Sequence, residues 1–133
     1  MAITNALAGV AVRDMETSVR WYSRLLDRMP DRKPMPELAE WEFADGGWIQ
    51  VFHDKQRAGS SSVTLVESSI EARLEDLKAK RISVESTSHS PIVNVATIRD
   101  LDGNQIVFAE SRAESNRSTQ SRKHATLEFL KAS

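Results

Sequence analysis

The sequence pattern of residues 5–110 is repeated: the signals for a strand, a helix and then about three strands occur twice in this order. In each copy a short apolar run leads into a helix-capping residue, and a helix with one apolar face follows. The two helices align at an offset of 55 positions, the separation of Met15 and Ile70, which also places Tyr22 opposite Leu77. The pattern predicts an α+β fold built from a duplicated βαβββ unit.

The first copy spans about residues 5–55, and its opening strand runs into Asp14, a good N-cap residue. The following helix carries an apolar stripe of Met15, Val19, Tyr22 and Leu26. Later strands are expected on both sides of Asp45-Gly46-Gly47, because Asp-Gly between strand-like runs is a hairpin signal. The predicted elements are a strand at 7–13, a helix within 15–28, a loop or short edge strand at 29–37, and strands at 38–44 and 48–53.

The second copy spans about residues 60–110 and follows a polar linker over residues 55–60. Ser68 and Glu71 have the spacing of a capping box, which predicts the start of a helix that carries Ile70, Leu74 and Leu77. A glycine turn at 102–104 joins the last two strands. The predicted strands are 62–66, 82–87, 92–98 and 105–110.

Composition excludes several classes of protein. The chain contains no cysteine, which excludes disulfides, zinc fingers, iron–sulfur clusters and a cysteine nucleophile. The formal net charge of −1 argues against a nucleic-acid-binding surface. No apolar run approaches the roughly 20 residues that span a bilayer, and the N-terminus lacks a signal-peptide pattern. A cytoplasmic protein that binds neither nucleic acid nor membrane is expected.

The charge is unevenly distributed along the chain. Residues 111–133 contain five basic and two acidic residues, so an acidic body over residues 1–110 precedes a polar, basic C-terminal tail. The first part of the tail is predicted to be flexible. Its last eight residues carry Thr126, Leu127 and Leu130, an apolar stripe suited to a short docking helix.

A duplicated βαβββ unit also predicts a kind of site. Each unit would form a small mixed sheet with one face covered by its helix, so the other face needs a partner. Two such sheets, curved and set edge to edge, would bury these faces around a shared cleft. Because ligand sites favour concave, mostly apolar surfaces with a few polar groups, the cleft is expected to bind a small molecule.

Two stretches of sequence resemble the vicinal oxygen chelate superfamily, which includes glyoxalase, bleomycin resistance and extradiol dioxygenase proteins. The first is GVAVRDMETSVRWYSRLL at 9–26, with Asp14, Ser18 and the pair Trp21-Tyr22 at the family's spacing. The second is IRDLDGNQIVFAE at 98–110, which is similar to the family's closing hairpin and last strand. The resemblance covers residues 5–110 and implies a homodimer.

The sequence departs from the family's pattern at three positions. Leu101 replaces the hairpin proline, and the glycines that usually end the two helices are replaced near Asp27 and Arg81. Aspartate adopts a left-handed conformation fairly well, whereas arginine does so at some cost. The second helix is therefore predicted to end differently from the glycine-terminated helices of the family.

The resemblance also implies where a metal ion would be held. In metal-dependent members, His, Glu or Gln side chains on the first and last strands of each module bind one divalent ion. Here those positions fall on Leu7, at or beside Ser61, on Val107, and on Gln50 or Val51. One ligand in four cannot hold a metal, so no metal and no other cofactor is predicted.

The other potential metal ligands in the sequence are not positioned to complete a metal site. Glu110 lies three positions after Val107, so on a regular strand it points to the opposite face. The histidines, His53, His89 and His124, show no spacing that suits one ion. Nor does the sequence contain a phosphate-binding loop, a dinucleotide-binding turn or a nucleophile with an adjacent base.

Strand alternation nominates the side chains of a ligand site. If Leu7 faces the cleft, Gly9, Ala11 and Arg13 share its face, and the two small residues leave space. Arg13 would suit a carboxylate or phenolate ligand; otherwise it is a solvated charge paired with Asp14 or Glu67.

The first hairpin adds an aromatic part to this site. Trp48, Gln50 and Phe52 share one face, so the rings could stack on a flat ligand while the amide orients it. Trp41 and Phe43 share a face of the preceding strand. The alternative is that these aromatic rings simply fill the interior.

Three functions fit these observations. The first is a glyoxalase/bleomycin-resistance-like protein that binds an aromatic or anionic small molecule without a metal, through the nominated residues Leu7, Gly9, Ala11, Arg13, Trp48, Gln50, Phe52 and Val107. The second is a metal-dependent lyase, isomerase or dioxygenase of the same superfamily. The third is a protein-interaction module whose cleft is closed by its own aromatic side chains.

Overall fold

The computed structural model describes residues 2–111, which contain two helices and eight strands. The predicted tail therefore lies outside the described residues, except for Ser111. The elements in chain order are β1 (Leu7–Val12), α1 (Met15–Leu26), β2 (Arg32–Met35), β3 (Leu38–Glu42), β4 (Trp48–His53), β5 (Ser62–Val66), α2 (Ile70–Ala79), β6 (Ser86–His89), β7 (Val93–Arg99) and β8 (Gln105–Ser111).

The strands form two four-stranded sheets with the same connectivity. Their orders are β1-β4-β3-β2 and β5-β8-β7-β6, so the first strand of each repeat lies beside its fourth. In the first sheet β1 pairs parallel with β4, while β3 pairs antiparallel with both β4 and β2. The predicted α+β fold with two βαβββ modules is confirmed. Neither helix within residues 2–111 is long and apolar enough to cross a membrane.

The contacts divide the chain into two compact units, which do not follow the repeat boundary. The first contains the residues up to Val63 together with Arg99–Gln105, the end of the β7–β8 hairpin. The second contains Thr64–Ile98 and the described residues from Ile106 to Ser111.

Helix α1 begins and ends as its sequence predicts. The Asp14 side chain accepts a hydrogen bond from the backbone N–H of Thr17 at 3.1 Å, which caps the first turn. Asp27 ends the helix in the left-handed conformation, with φ of 60°. Its buried face carries Val19, Tyr22 and Leu25, so Leu25 replaces the expected Leu26 as the last fully buried residue of the stripe.

Helix α2 begins one residue later than the predicted capping box. Ser69, not Ser68, is the N-cap, and its hydroxyl accepts from the N–H of Ala72 at 3.1 Å. The Glu110 carboxylate at the end of β8 accepts from the N–H of Ile70 at 2.8 Å. A carboxylate from another element thus satisfies one of the N–H groups that a helix start leaves unpaired, which a local motif cannot reveal.

The second helix also ends differently from the prediction, because Arg81 does adopt the left-handed conformation, with φ of 59°. The N–H of Arg81 donates to the carbonyl of Lys78, and the N–H of Ile82 donates to the carbonyl of Leu77. These bonds satisfy the last turn and offset the steric cost at Arg81. Since Ile82 belongs to this helix end, the predicted strand at 82–87 is wrong, and β6 begins only at Ser86.

Replacement of Arg81 by glycine is expected to stabilise the protein by about 1 kcal/mol, because glycine removes the left-handed strain and keeps the backbone hydrogen bonds. Chemical denaturation monitored by circular dichroism measures the change. Arg81→Ala is the control, because it removes the same exposed side chain but retains a Cβ. An equal gain in both variants would contradict a backbone origin.

Candidate ligand-binding site

The first sheet has two faces of different character. One face packs against α1 and is buried and apolar, with Val10, Ile49, Val51 and Trp41 at 0% exposure. The other face is termed the site face. Pairing across β1, β4, β3 and β2 places on it Leu7, Gly9, Ala11, Trp48, Gln50, Phe52, Leu38, Glu40, Glu42 and Arg32.

A polar row crosses the middle of the site face. Gly9 pairs with Gln50, Gln50 with Glu40, and Glu40 with Arg32, so the four residues lie side by side on successive strands. Gln50 Nε2 donates to Glu40 Oε2 at 2.6 Å. Arg32 donates to Glu40 Oε1 from Nε at 3.1 Å and lies within 2.9 Å of it through Nη2. Both oxygens of this buried carboxylate are therefore bound.

Aromatic rings flank the polar row on β4, and an arginine covers each of them. The Arg32 guanidinium lies 4.6 Å from the centre of the Trp48 ring, and that of Arg57 lies 5.6 Å from the centre of the Phe52 ring. A Cβ at Gly9 would lie 3.1 Å from Phe52 Cε1. The space expected at Gly9 is thus partly filled by the Phe52 ring.

The other nominated residues lie in varied surroundings. Leu7 is 41% exposed at the start of β1, whereas Ala11 is fully buried. Arg13 lies just beyond β1 and pairs with Asp102 at 3.6 Å, not with the predicted Asp14 or Glu67. Val107 is buried in the second unit, in a cluster with Val93, Val95 and Ala109.

The residues at the four implied metal positions do not fit a divalent ion. Leu7 and Val107 offer no donor atom. The Ser61 hydroxyl accepts from the N–H of Ala11 at 3.0 Å, and Gln50 directs its amide nitrogen at Glu40. Glu40 is the carboxylate beside Gln50, and both of its oxygens are engaged by Gln50 and Arg32.

The other candidate ligands lie apart from this set. Glu110 faces α2 and binds the N–H of Ile70, as its strand position predicts. His53 ends β4, and His89 on β6 contacts Asn94 Oδ1 through Nδ1 at 2.8 Å. His124 lies outside the described residues. No group of three or more His, Asp or Glu suited to a metal occurs in the part of the chain that the structure describes.

A second polar cluster in the first unit is buried and structural. Tyr22 donates its hydroxyl to Asp100 Oδ2 at 2.7 Å. Burial, and then the neighbouring Asp100 carboxylate, raise the pKa of the Tyr22 hydroxyl well above its usual value. Tyr22 therefore remains a neutral hydrogen-bond donor at physiological pH. The same carboxylate binds Asn104, which anchors the β7–β8 hairpin to β1.

Glu40 and Arg32 belong to the site although the sequence patterns did not nominate them. The hairpin turn pairs Phe43 with Gly47, and the same register continued along both strands places Glu40 opposite Gln50. That register was available in the sequence. The position of Arg32 was harder to predict from the sequence, because the β2–β3 register shifts by one residue between Arg32 and Met35.

Comparison with known proteins gives a consistent assignment of the fold. No family model matches the chain, and no curated protein matches it. Among solved structures, the glyoxalase/bleomycin resistance protein from Catenulispora acidiphila DSM 44928 is 28% identical, with a TM-score of 0.73, over 80% of this chain and 96% of that one. The fold is thus that of the glyoxalase and bleomycin resistance proteins.

Two further structures have the same fold at lower identity. TnmS3, an antibiotic binding protein from Streptomyces sp. CB03234, is 19% identical with a TM-score of 0.72, over 84% of this chain and 98% of that one. A lactoylglutathione lyase from Agrobacterium tumefaciens is 13% identical with a TM-score of 0.67, over 80% of this chain and 92% of that one. The fold and the two sequence motifs together support the vicinal oxygen chelate superfamily.

Proposed function

We propose that this protein binds a small organic molecule on the site face of the first sheet, and that it does so without a metal ion. The observation that carries the proposal is the arrangement on β4, where Trp48 and Phe52 flank the amide of Gln50. Apolar rings around a few oriented polar groups are the usual composition of a small-molecule site. The buried Glu40 carboxylate holds the Gln50 amide in one orientation.

The metal-free part of the proposal rests on the side chains at the family's metal positions. Apolar side chains occupy two of them, and the Ser61 hydroxyl is already bound to the backbone of β1. A metal-dependent lyase, isomerase or dioxygenase needs several ligand atoms that converge with coordination positions left open. Binding therefore fits these residues better than metal-assisted chemistry.

The similar structures support a binding function in general terms. One neighbour with this fold is described as an antibiotic binding protein, and another as a lactoylglutathione lyase. Both identities are low, so neither activity transfers directly to this chain. A closed interaction module is less favoured, because Trp48 and Phe52 make no ring contact with each other within residues 2–111 and lie instead beneath arginines. A homodimer in the cytoplasm, as predicted from the sequence, completes the proposal.

The first test measures metal binding. Protein treated with EDTA and then dialysed against Ni²⁺, Zn²⁺, Mn²⁺ or Fe²⁺ is expected to retain far less than one ion per chain, as measured by elemental analysis. Retention of one tightly bound ion per chain would overturn the metal-free proposal and favour the metal-dependent alternative.

The second test locates bound molecules. In a screen of flat aromatic compounds by ¹H–¹⁵N NMR, binding compounds are expected to shift the backbone signals of Gly9, Gln50 and Phe52. Trp48→Leu should weaken these compounds by at least about tenfold, because the ring that lines the site and holds the Arg32 guanidinium over it is lost. Trp21→Leu is the matched control, since Trp21 lies on α1, and should leave them unchanged. A screen in which no compound shifts the site face would contradict the proposed function.

A further inference from the structure

We infer that Arg32 is the anion-binding residue of the site face, and that the ligand class is a planar aromatic acid. This inference rests on the proposed function and adds the chemistry of the ligand. It replaces the sequence-based expectation for Arg13, because Arg13 lies beyond the end of β1 and pairs with Asp102.

The Arg32 guanidinium is held from two directions. Its Nε and Nη2 atoms contact Glu40 Oε1 at 3.1 and 2.9 Å, and its Cζ atom lies 4.6 Å from the centre of the Trp48 ring. The side chain is nevertheless 59% exposed. Little side-chain entropy remains to be lost when such a pre-oriented group binds a ligand.

The remaining edge of Arg32 is available for an anion. A guanidinium presents five N–H donors in a rigid fork, and Glu40 uses only those on the Nε–Nη2 edge. Nη1 has no hydrogen-bond partner among residues 2–111. Carboxylates match two neighbouring guanidinium donors, so a ligand carboxylate can bind the outer edge while Glu40 stays on the inner edge.

The charges at the two ends of β4 favour an acid over a base. Arg57 over Phe52 adds a second cation on this face. Phe52 lies about 13 Å from Trp48 along β4, at roughly 3.3 Å per residue. The buried Glu40 is already neutralised by Arg32. The exposed Glu42, opposite Trp48, is the remaining carboxylate of the face. An aromatic acid would meet a cation at either ring position, and its own ring could stack on that guanidinium.

The test compares pairs of compounds that differ only in charge: 2-naphthoate with 2-naphthamide, and indole-2-carboxylate with indole-2-carboxamide. Dissociation constants come from ¹H–¹⁵N NMR titrations that follow Gly9 and Gln50. Each acid is expected to bind at least about tenfold more tightly than its amide, because a charge-assisted bidentate bond is added. Arg32→Gln should reduce the acid to the level of the amide and change the amide less than about twofold.

Matched variants separate a specific contact from net charge and from misfolding. Lys33→Gln removes the same charge from the adjacent exposed position of β2, which takes no part in the contacts of Arg32 with Glu40 and Trp48, and should leave the acid within about twofold. Arg32→Lys keeps the charge without the planar fork and should be intermediate. The double variant Arg32→Gln/Glu40→Gln leaves no unpaired buried charge and should lose acid binding as Arg32→Gln does.

The outcomes of these titrations distinguish failure of the role of Arg32 from failure of the proposed binding function. Equal binding of acids and amides at the site face, or equal losses in Arg32→Gln and Lys33→Gln, would overturn the role of Arg32 and leave the proposed function intact. Absence of any shift at the site face with all four compounds, joined to an empty general screen, would overturn the proposed function itself.

Discussion

Replacement of Asn104 by alanine is expected to lower the free energy of unfolding by about 4 kcal/mol, the largest effect predicted for a single side chain of this protein. Asn104 is 0% exposed. Its Oδ1 accepts from the N–H groups of Gly59 and Ser61, both at 2.9 Å. Its Nδ2 donates to the carbonyl of Ala11 at 2.7 Å and to Asp100 Oδ2 at 2.8 Å. Alanine would leave these groups unpaired away from water.

Guanidinium denaturation followed by circular dichroism measures this loss. Asn94→Ala is a suitable control, because Asn94 is only half-buried and its side chain makes a single hydrogen bond within residues 2–111, to His89. That variant should cost less than about 1 kcal/mol. If the two substitutions cost the same, the four bonds of Asn104 do not stabilise the first unit as inferred. A variant that shows no cooperative unfolding would agree with the prediction.

Gly59→Ala is expected to destabilise the protein by about 3 kcal/mol or more. Gly59 has φ of +94°, and a Cβ there would lie 2.6 Å from the backbone carbonyl oxygen of Asp102. Real Cβ atoms do not approach backbone oxygen so closely, and both segments are fixed by Asn104. The linker and the hairpin would therefore have to separate.

Gly46→Ala isolates the steric part of this effect. Gly46 has nearly the same φ, +95°, but a Cβ there would meet nothing within 4 Å. Only the left-handed strain of about 1 kcal/mol should appear. Thermal and chemical denaturation of the two variants give the difference. Equal costs would show that the approach of Asp102 to Gly59 is looser than described.

Local signals explain why most of the fold could be predicted from the sequence. The apolar stripe of α1, its cap at Asp14 and the hairpin turn at 45–47 each depend on residues within a few positions of one another. Of the loop or short edge strand predicted for residues 29–37, the edge strand is observed, as β2. Prediction was less accurate where a residue distant in sequence takes part. Helix α2 begins one residue later than predicted, and the Glu110 carboxylate accepts a hydrogen bond from the N–H of its first residue, Ile70.

The candidate site was only partly predictable, and the reason lies in strand pairing. Trp48, Gln50 and Phe52 follow from alternation along one strand. Glu40 requires the register between two strands, which the hairpin turn supplies. Arg32 requires the register across a third strand, and the one-residue shift between β2 and β3 decides which face it occupies. No local pattern in residues 29–37 reports that shift.

The bonds of Asn104 also affect how the chain folds while it is being made. Asn104 and Ala11 are joined across 93 positions of sequence, and the first unit takes residues 99–105 as part of its own packing. During synthesis from the N-terminus, β1 to β4 would leave the ribosome before the segment that completes their unit exists. Until then the N–H groups of Gly59 and Ser61 lack their acceptor. The first repeat is therefore synthesised before the second, but its packing is completed only after residues 99–105 have been made.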